Sequence, residues 1–165
     1  MKWIKLYEEF QLGDLNSMSP EEIQDLFFEE CMKQTPDINL IKNILDNGLL
    51  DVNAKNKNGQ TPLDWVVRQE NVDITKLLIK AGADVNAKSD FDSAPLFWPV
   101  MQNNIEIANL LIKAGADVNA RDKDNAPLLT KAYSKEMKNL LMNPESHPGL
   151  NSIKSKFKSF IDNII

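Results

Sequence analysis

"LLIKAGADVNAK" (77–88) returns as "LLIKAGADVNAR" (110–121), thirty-three residues later, with eleven of the twelve letters unchanged. A fixed period of this length marks a chain assembled from stacked supersecondary units. The same offset places "DVNAK" (51–55) one unit earlier and aligns "TPL" (61–63) with "APL" (94–96). A further "APL" (126–128) arrives one residue early.

Each unit reads in the same order. A turn segment such as "NAKNKNGQ" (53–60) holds Asn, Lys and Gly, which suit a tight hairpin-like connection. Thr61 then caps a helix whose first position is Pro62, where a missing N–H costs nothing. That helix runs to about Gln69. A second begins near Asp73 and puts Ile74, Leu77 and Leu78 on one face. Gly82 supplies the left-handed residue that ends it. Two helices this short cannot bury their apolar faces alone, so they must stack on neighbours.

The stretches "NGQTPLDWVVRQENVDITKLLIKAGADVNAK" (58–88) and "APLFWPVMQNNIEIANLLIKAGADVNAR" (94–121) resemble the ankyrin repeat family. The resemblance covers roughly residues 20–143. It implies an all-α solenoid of helix-turn-helix units joined by hairpin-like loops, with helical caps at both ends. The expected organisation is a single domain: an N-terminal helical extension (1–19), a capping repeat (20–55), regular repeats at 56–88 and 89–121, a shortened repeat (122–143), and a loop with an amphipathic helix (144–165). In the first unit, "SPEEIQDLFFEECMKQ" (19–34) opens with the Ser19, Pro20 and Glu22 signature of a capping box. "DINLIKNILDNG" (37–48) follows as its second helix, ending at Gly48.

The resemblance also implies function. Ankyrin repeats bind other proteins through a concave face of hairpin tips and first helices. By position, the candidate tip residues are Asn58 and Gln60, then Asp90 and Phe91, then Lys123 and Asp124. The candidate first-helix residues are Arg68, Gln69, Met101 and Gln102. Phe91 sits in a polar turn, "KSDFDSA" (88–94), as an aromatic anchor or folded back on its own repeat. Trp65 and Trp98 recur thirty-three apart, which marks a packing position, and both read as mainly core. Among bacterial relatives of this kind are toxin-neutralising immunity proteins and host-directed secreted effectors.

Two departures from the family pattern stand out. The usual His after "TPL" is replaced by Asp64, Phe97 and Leu129, which removes a side chain that ties neighbouring turns together. The usual small pair of the first helix becomes Val66–Val67 and Pro99–Val100, which predicts looser or re-angled stacking. Pro99 lies within "LFWPVMQNN" (96–104), so the helix begun by Pro95 is expected to be short or kinked and to shift Met101 and Gln102.

Composition, with 42% apolar and 26% charged residues, is ordinary for a soluble globular protein. The net charge is −5, which argues against a general nucleic-acid partner. It is uneven: residues 1–54 carry four Lys and eleven acids, whereas residues 125–165 carry six Lys and three acids. The acidic third is a solvated surface or an attraction for a basic partner. Helical faces in "WIKLYEEF" (3–10) and "LNSIKSKFKSFIDNII" (150–165) read as caps over the ends of the stack, the second alternatively as a membrane or partner helix. Cys31 is the only cysteine and His147 the only histidine, and they lie far apart in sequence. No catalytic constellation, metal-ligand spacing or phosphate loop appears, so neither enzyme activity nor cofactor nor metal is expected. "MKWIKLYEEF" (1–10) lacks the apolar core of a Sec signal. No window approaches a transmembrane span. A cytoplasmic monomer that binds another protein is the expectation, with export as an effector the alternative.

Overall fold

The computed structural model describes residues 14–48, 50–90 and 93–143. The terminal faces expected at 3–10 and 150–165, His147 and Phe91 lie outside the described residues.

A 3₁₀ turn, Asp14–Ser17, precedes seven described α-helices: α1 (Pro20–Met32), α2 (Ile38–Asn47), α3 (Pro62–Arg68), α4 (Val72–Lys80), α5 (Phe97–Gln102), α6 (Ile105–Lys113) and α7 (Lys135–Met142). A second 3₁₀ turn, Leu128–Lys131, lies between α6 and α7. These elements form two layers. In one, α1 packs on α3, α3 on α5, and α5 on the turn Leu128–Lys131. In the other, α2 packs on α4, α4 on α6, and α6 on α7. The core is the seam between the layers. Phe27, Ile41, Leu63, Ile74, Leu78, Ile107, Leu111 and Leu128 are fully enclosed there. Val66 and Val67 are also fully buried, at the joint between α1 and α5.

Caps written in the sequence set the helix starts. Ser19 Oγ accepts from the Glu22 N–H (3.2 Å), and Glu22 Oε2 accepts from the Ser19 N–H (2.9 Å), a closed capping box. Thr61, Asn71, Asn104 and Ser134 each accept from the first turn of the helix they precede. Gly48 (φ 64°) and Gly82 (φ 92°) end α2 and α4 in the left-handed region. Glu30 is a buried carboxylate in α1 whose charge is answered on both oxygens. Lys33 Nζ donates at 2.6 Å, and the Asp37 N–H donates at 2.5 Å, which fixes the entry to α2.

The recurring letters "DVN" have a mechanical meaning. Asp51, Asp84 and Asp117 each accept the N–H two residues on (2.9 Å in each case), closing a local turn. The Asn then reaches into the next unit. Asn53 Oδ1 accepts from the Asp84 N–H (2.7 Å) while its Nδ2 donates to the Gly82 carbonyl (3.3 Å). Asn86 repeats this with the Asp117 N–H (2.8 Å) and the Gly115 carbonyl (3.0 Å). In the first unit Gln24 plays that part, exchanging two bonds with the backbone of Asp51 (3.1 and 2.9 Å). The units are therefore tied by polar clamps as well as by the apolar seam.

The tips are built alike. Asn56 Oδ1 accepts the N–H groups of Asn58 and Gln60 (2.9 and 3.0 Å), and Asp122 Oδ1 accepts those of Asp124 and Ala126 (3.0 and 2.9 Å). The last tip residue is left-handed in both, Gly59 (φ 66°) and Asn125 (φ 62°). At Gly59 a side chain is excluded for a second reason: a Cβ would collide with the Asp90 carboxylate and lie 2.9 Å from its backbone N. This closeness lets the Asp90 N–H donate to the Asn58 carbonyl (3.2 Å), joining one tip to the next.

α5 departs from expectation. It starts at Phe97, not Pro95. Ala94 occupies the position of Thr61 and has no hydroxyl to cap the turn; its carbonyl accepts from the Phe97 N–H instead (3.0 Å). The helix is six residues long, and Pro99 is its third residue. It thus falls among the first N–H positions, which have no intrahelical acceptor, and costs little. The helix is short, as expected, and at its other end Gln102 keeps the contact of its counterpart in the preceding unit. Gln102 Nε2 donates to the Arg68 carbonyl (2.8 Å), as Gln69 Nε2 donates to the Met32 carbonyl one unit earlier (2.7 Å).

Candidate functional site

Along the first-helix layer, below the tips, the described residues enclose an open groove of about 400 Å³. Gln60 and Ser93 come from the tip side, Arg68, Phe97, Trp98 and Met101 from the helices. Asp122, Lys123, Asp124 and Lys131 close its far end.

Of the sequence-predicted residues, Gln60, Arg68, Met101, Lys123 and Asp124 meet in this groove. Met101 is 47% exposed and is the exposed apolar side chain among the groove's lining residues, a candidate adaptable contact. Gln60 is not the solvent-facing tip residue expected. It is 5% exposed, because Asn56 Nδ2 donates to its Oε1 (3.2 Å) and folds it inward. Gln69 and Gln102 have structural work: the clamps described above occupy their amides. Asn58 and Asp90 are exposed on the tips but outside the groove lining.

The reading of Trp65 and Trp98 as mainly core holds in part: Trp98 packs against the core and both indole nitrogens are enclosed. Both are only partly buried. The Arg68 guanidinium carbon lies over both rings, 4.6 Å from the Trp98 centroid and 5.5 Å from that of Trp65. Each such contact at a partly exposed site contributes about 0.5–1 kcal/mol. The recurrence at thirty-three residues marks one repeated, half-buried environment beside Arg68; of the two rings, Trp98 lines the groove.

Beneath this stack Asp64 takes the place of the family's His. It is 2% exposed, and its Oδ1 has no hydrogen-bond partner. Neither has the Trp98 Nε1, which lies near the carboxylate without closing a bond to it. Burial raises the Asp64 pKa above its ordinary 3.8; the Gln60 amide, the Trp98 indole and the Arg68 charge oppose it but do not win. Asp64 also sits in the first turn of α3, where the helix dipole favours a carboxylate by about 0.3–1 kcal/mol, a smaller effect. The unfolded chain therefore releases this proton first. Stability contributed by neutral Asp64 is full below 3.8 and lost as pH rises through the higher folded value. The Asp64→Asn variant is expected to gain on the parent as pH rises, by about 1–2 kcal/mol between acid and neutral pH, the scale of an unsatisfied buried group. Denaturant titrations at the two pH values measure it; equal differences at both would contradict it.

The far end is held by an ion pair. Lys131 Nζ meets Asp122 Oδ2 at 2.7 Å. That bond holds the Asp122 carboxyl below its ordinary range and raises the Lys131 ammonium.

Cys31 is buried, and burial, with the adjacent Glu30 charge, pushes its thiol up to about 12. At neutral pH it is a protonated packing group. Among the described residues, no three His, Cys, Asp or Glu side chains gather to hold a metal, and no helix is long and apolar enough to cross a membrane.

Two layers of paired helices, tied by recurring Asn clamps and carrying a groove under their tips, define a helical repeat solenoid. A family model described as ankyrin repeats in three copies matches residues 29–122, more than half of the sequence, and the chain belongs to the ankyrin repeat family. Ankyrin repeats are generally protein–protein interaction modules and typically non-catalytic. No curated protein matches the chain.

Proposed function

We propose that this chain is a non-catalytic binding protein that holds a partner protein in the groove between its tips and first helices. The exposed apolar side chain of Met101, set beside Phe97, Trp98 and Arg68, carries this reading. A partner covering it gains the burial that the chain itself does not provide. The activity is masking or neutralising that partner, as an immunity protein does; delivery into a host as an effector would use the same groove. Purification of the complex from the native source, with mass spectrometry, identifies the partner. The Met101→Gln variant, which removes the apolar contact without adding charge, is then expected to weaken its binding by about tenfold or more. Thermal unfolding is expected to stay unchanged, since the side chain is exposed. Undiminished binding would overturn the groove as the site.

A further inference from the structure

We propose that Arg68 is the receptor for a carboxylate of the partner: an Asp or Glu side chain within an acidic segment laid along the groove. This rests on the groove being the binding site, and it adds the chemistry of what binds.

The first observation is the state of the guanidinium. Arg68 makes no hydrogen bond or ion pair through its side chain to any described residue. It lies over the two indole faces, at 4.6 and 5.5 Å, and its charge also acts, without an ion pair, on the buried Asp64 carboxylate. A ring face holds a guanidinium by its plane and leaves the N–H edge open. That edge matches a carboxylate bidentately. Stacking also immobilises the long side chain before the partner arrives, which lowers the cost of binding. Gln102 anchors the same residue from behind, by its backbone carbonyl (2.8 Å).

The second observation is the charge of the walls. The groove lining carries three cations, Arg68, Lys123 and Lys131, against two acids, the exposed Asp124 and Asp122, whose side chain is only 14% exposed; Asp64, which also feels the Arg68 charge, is buried beneath the lining. One of those acids already neutralises Lys131. Lys123 has no charged partner among the described residues. The chain as a whole carries −5, so this patch has the opposite sign to the net charge. The eleven acids of residues 1–54 do not line it. A basic segment would meet Arg68 and Lys123 head-on, whereas an acidic one is complementary. Apolar neighbours of the carboxylate then lie against Phe97, Trp98 and Met101.

The test pans a random dodecapeptide display library on the full chain. Enriched peptides are expected to share an Asp or Glu beside an aliphatic or aromatic residue. Fluorescence anisotropy of the best peptide then closes a cycle. Arg68→Gln in the chain, or Glu→Gln in the peptide, is expected to weaken binding about tenfold or more, and the variant chain should no longer distinguish the two peptides. Arg68→Lys should restore little, because an ammonium cannot offer the fork. No enrichment, enrichment of peptides without acids, tighter binding of single-stranded DNA, or equal binding of Glu and Gln peptides to the parent chain would each overturn the proposal. Met101→Gln, which leaves the charge of the groove unchanged, separates the two levels. Non-acidic peptides that lose binding on this change leave the groove standing and remove only the carboxylate; peptides indifferent to both Met101→Gln and Arg68→Gln remove both.

Discussion

Leu78→Ala is expected to destabilise the fold by about 2–5 kcal/mol, the range for emptying a fully enclosed leucine site. Leu78 lies in α4, which packs on α3 within its own unit and on α2 and α6 to either side. A cavity there weakens two inter-unit joints at once. In a solenoid, stability is approximately a sum of unit and joint contributions, so a central loss cannot be compensated from the ends. Single domains have only about 5–15 kcal/mol in total. For a chain of this size the melting temperature should fall by about 5–15 °C. Leu111→Ala, at the equivalent site one unit on, should behave alike, because Leu111 is equally enclosed. Calorimetry measures both. A loss below about 1 kcal/mol at either site would mean that the seam is packed differently from this description.

The second large effect lies in the polar clamps. Asn86→Ala removes a donor to the Gly115 carbonyl and an acceptor for the Asp117 N–H. Two bonds of about 0.5–1.5 kcal/mol each set an upper bound near 3. The site is exposed, so water partly replaces both partners and the expected cost is about 1–2 kcal/mol. That is smaller than the cavity and distinguishable from it. A clamp variant should loosen the loops joining units at 82–86 and 115–119 while leaving the core packed, which amide exchange resolves. Slower exchange of the Asp117 N–H in the variant would contradict the clamp.

The sequence disclosed the repeat, the caps and the helix ends because these are local. A Ser19–Glu22 box or a glycine after "KA" acts within one turn, so the letters suffice. α5 was misjudged at its start for an equally local reason. Pro95 carried the signal of a first helical residue, but Ala94 before it cannot cap. Contacts between units were harder. Gln69 and Gln102 read as binding residues, yet their spacing of thirty-three was the signal that they tie unit to unit. Trp65 and Trp98 carried the same signal and read as mainly core, although both are half-buried under Arg68 and Trp98 lines the groove. Recurrence reports a shared environment and does not say whether that environment is dry. The burial of Asp64 and Gln60 had no sequence signal, since polar residues at a turn ordinarily face water.

The central claim is that a partner protein is held in the groove of the first-helix layer. Amide hydrogen exchange of the full chain with and without that partner tests it most directly. Added protection is expected at residues 60–69, 93–102 and 122–131, the segments that line the groove, with α4 and α6 unchanged on the opposite layer. Protection confined to α4 and α6, with the groove segments exchanging as before, would contradict it.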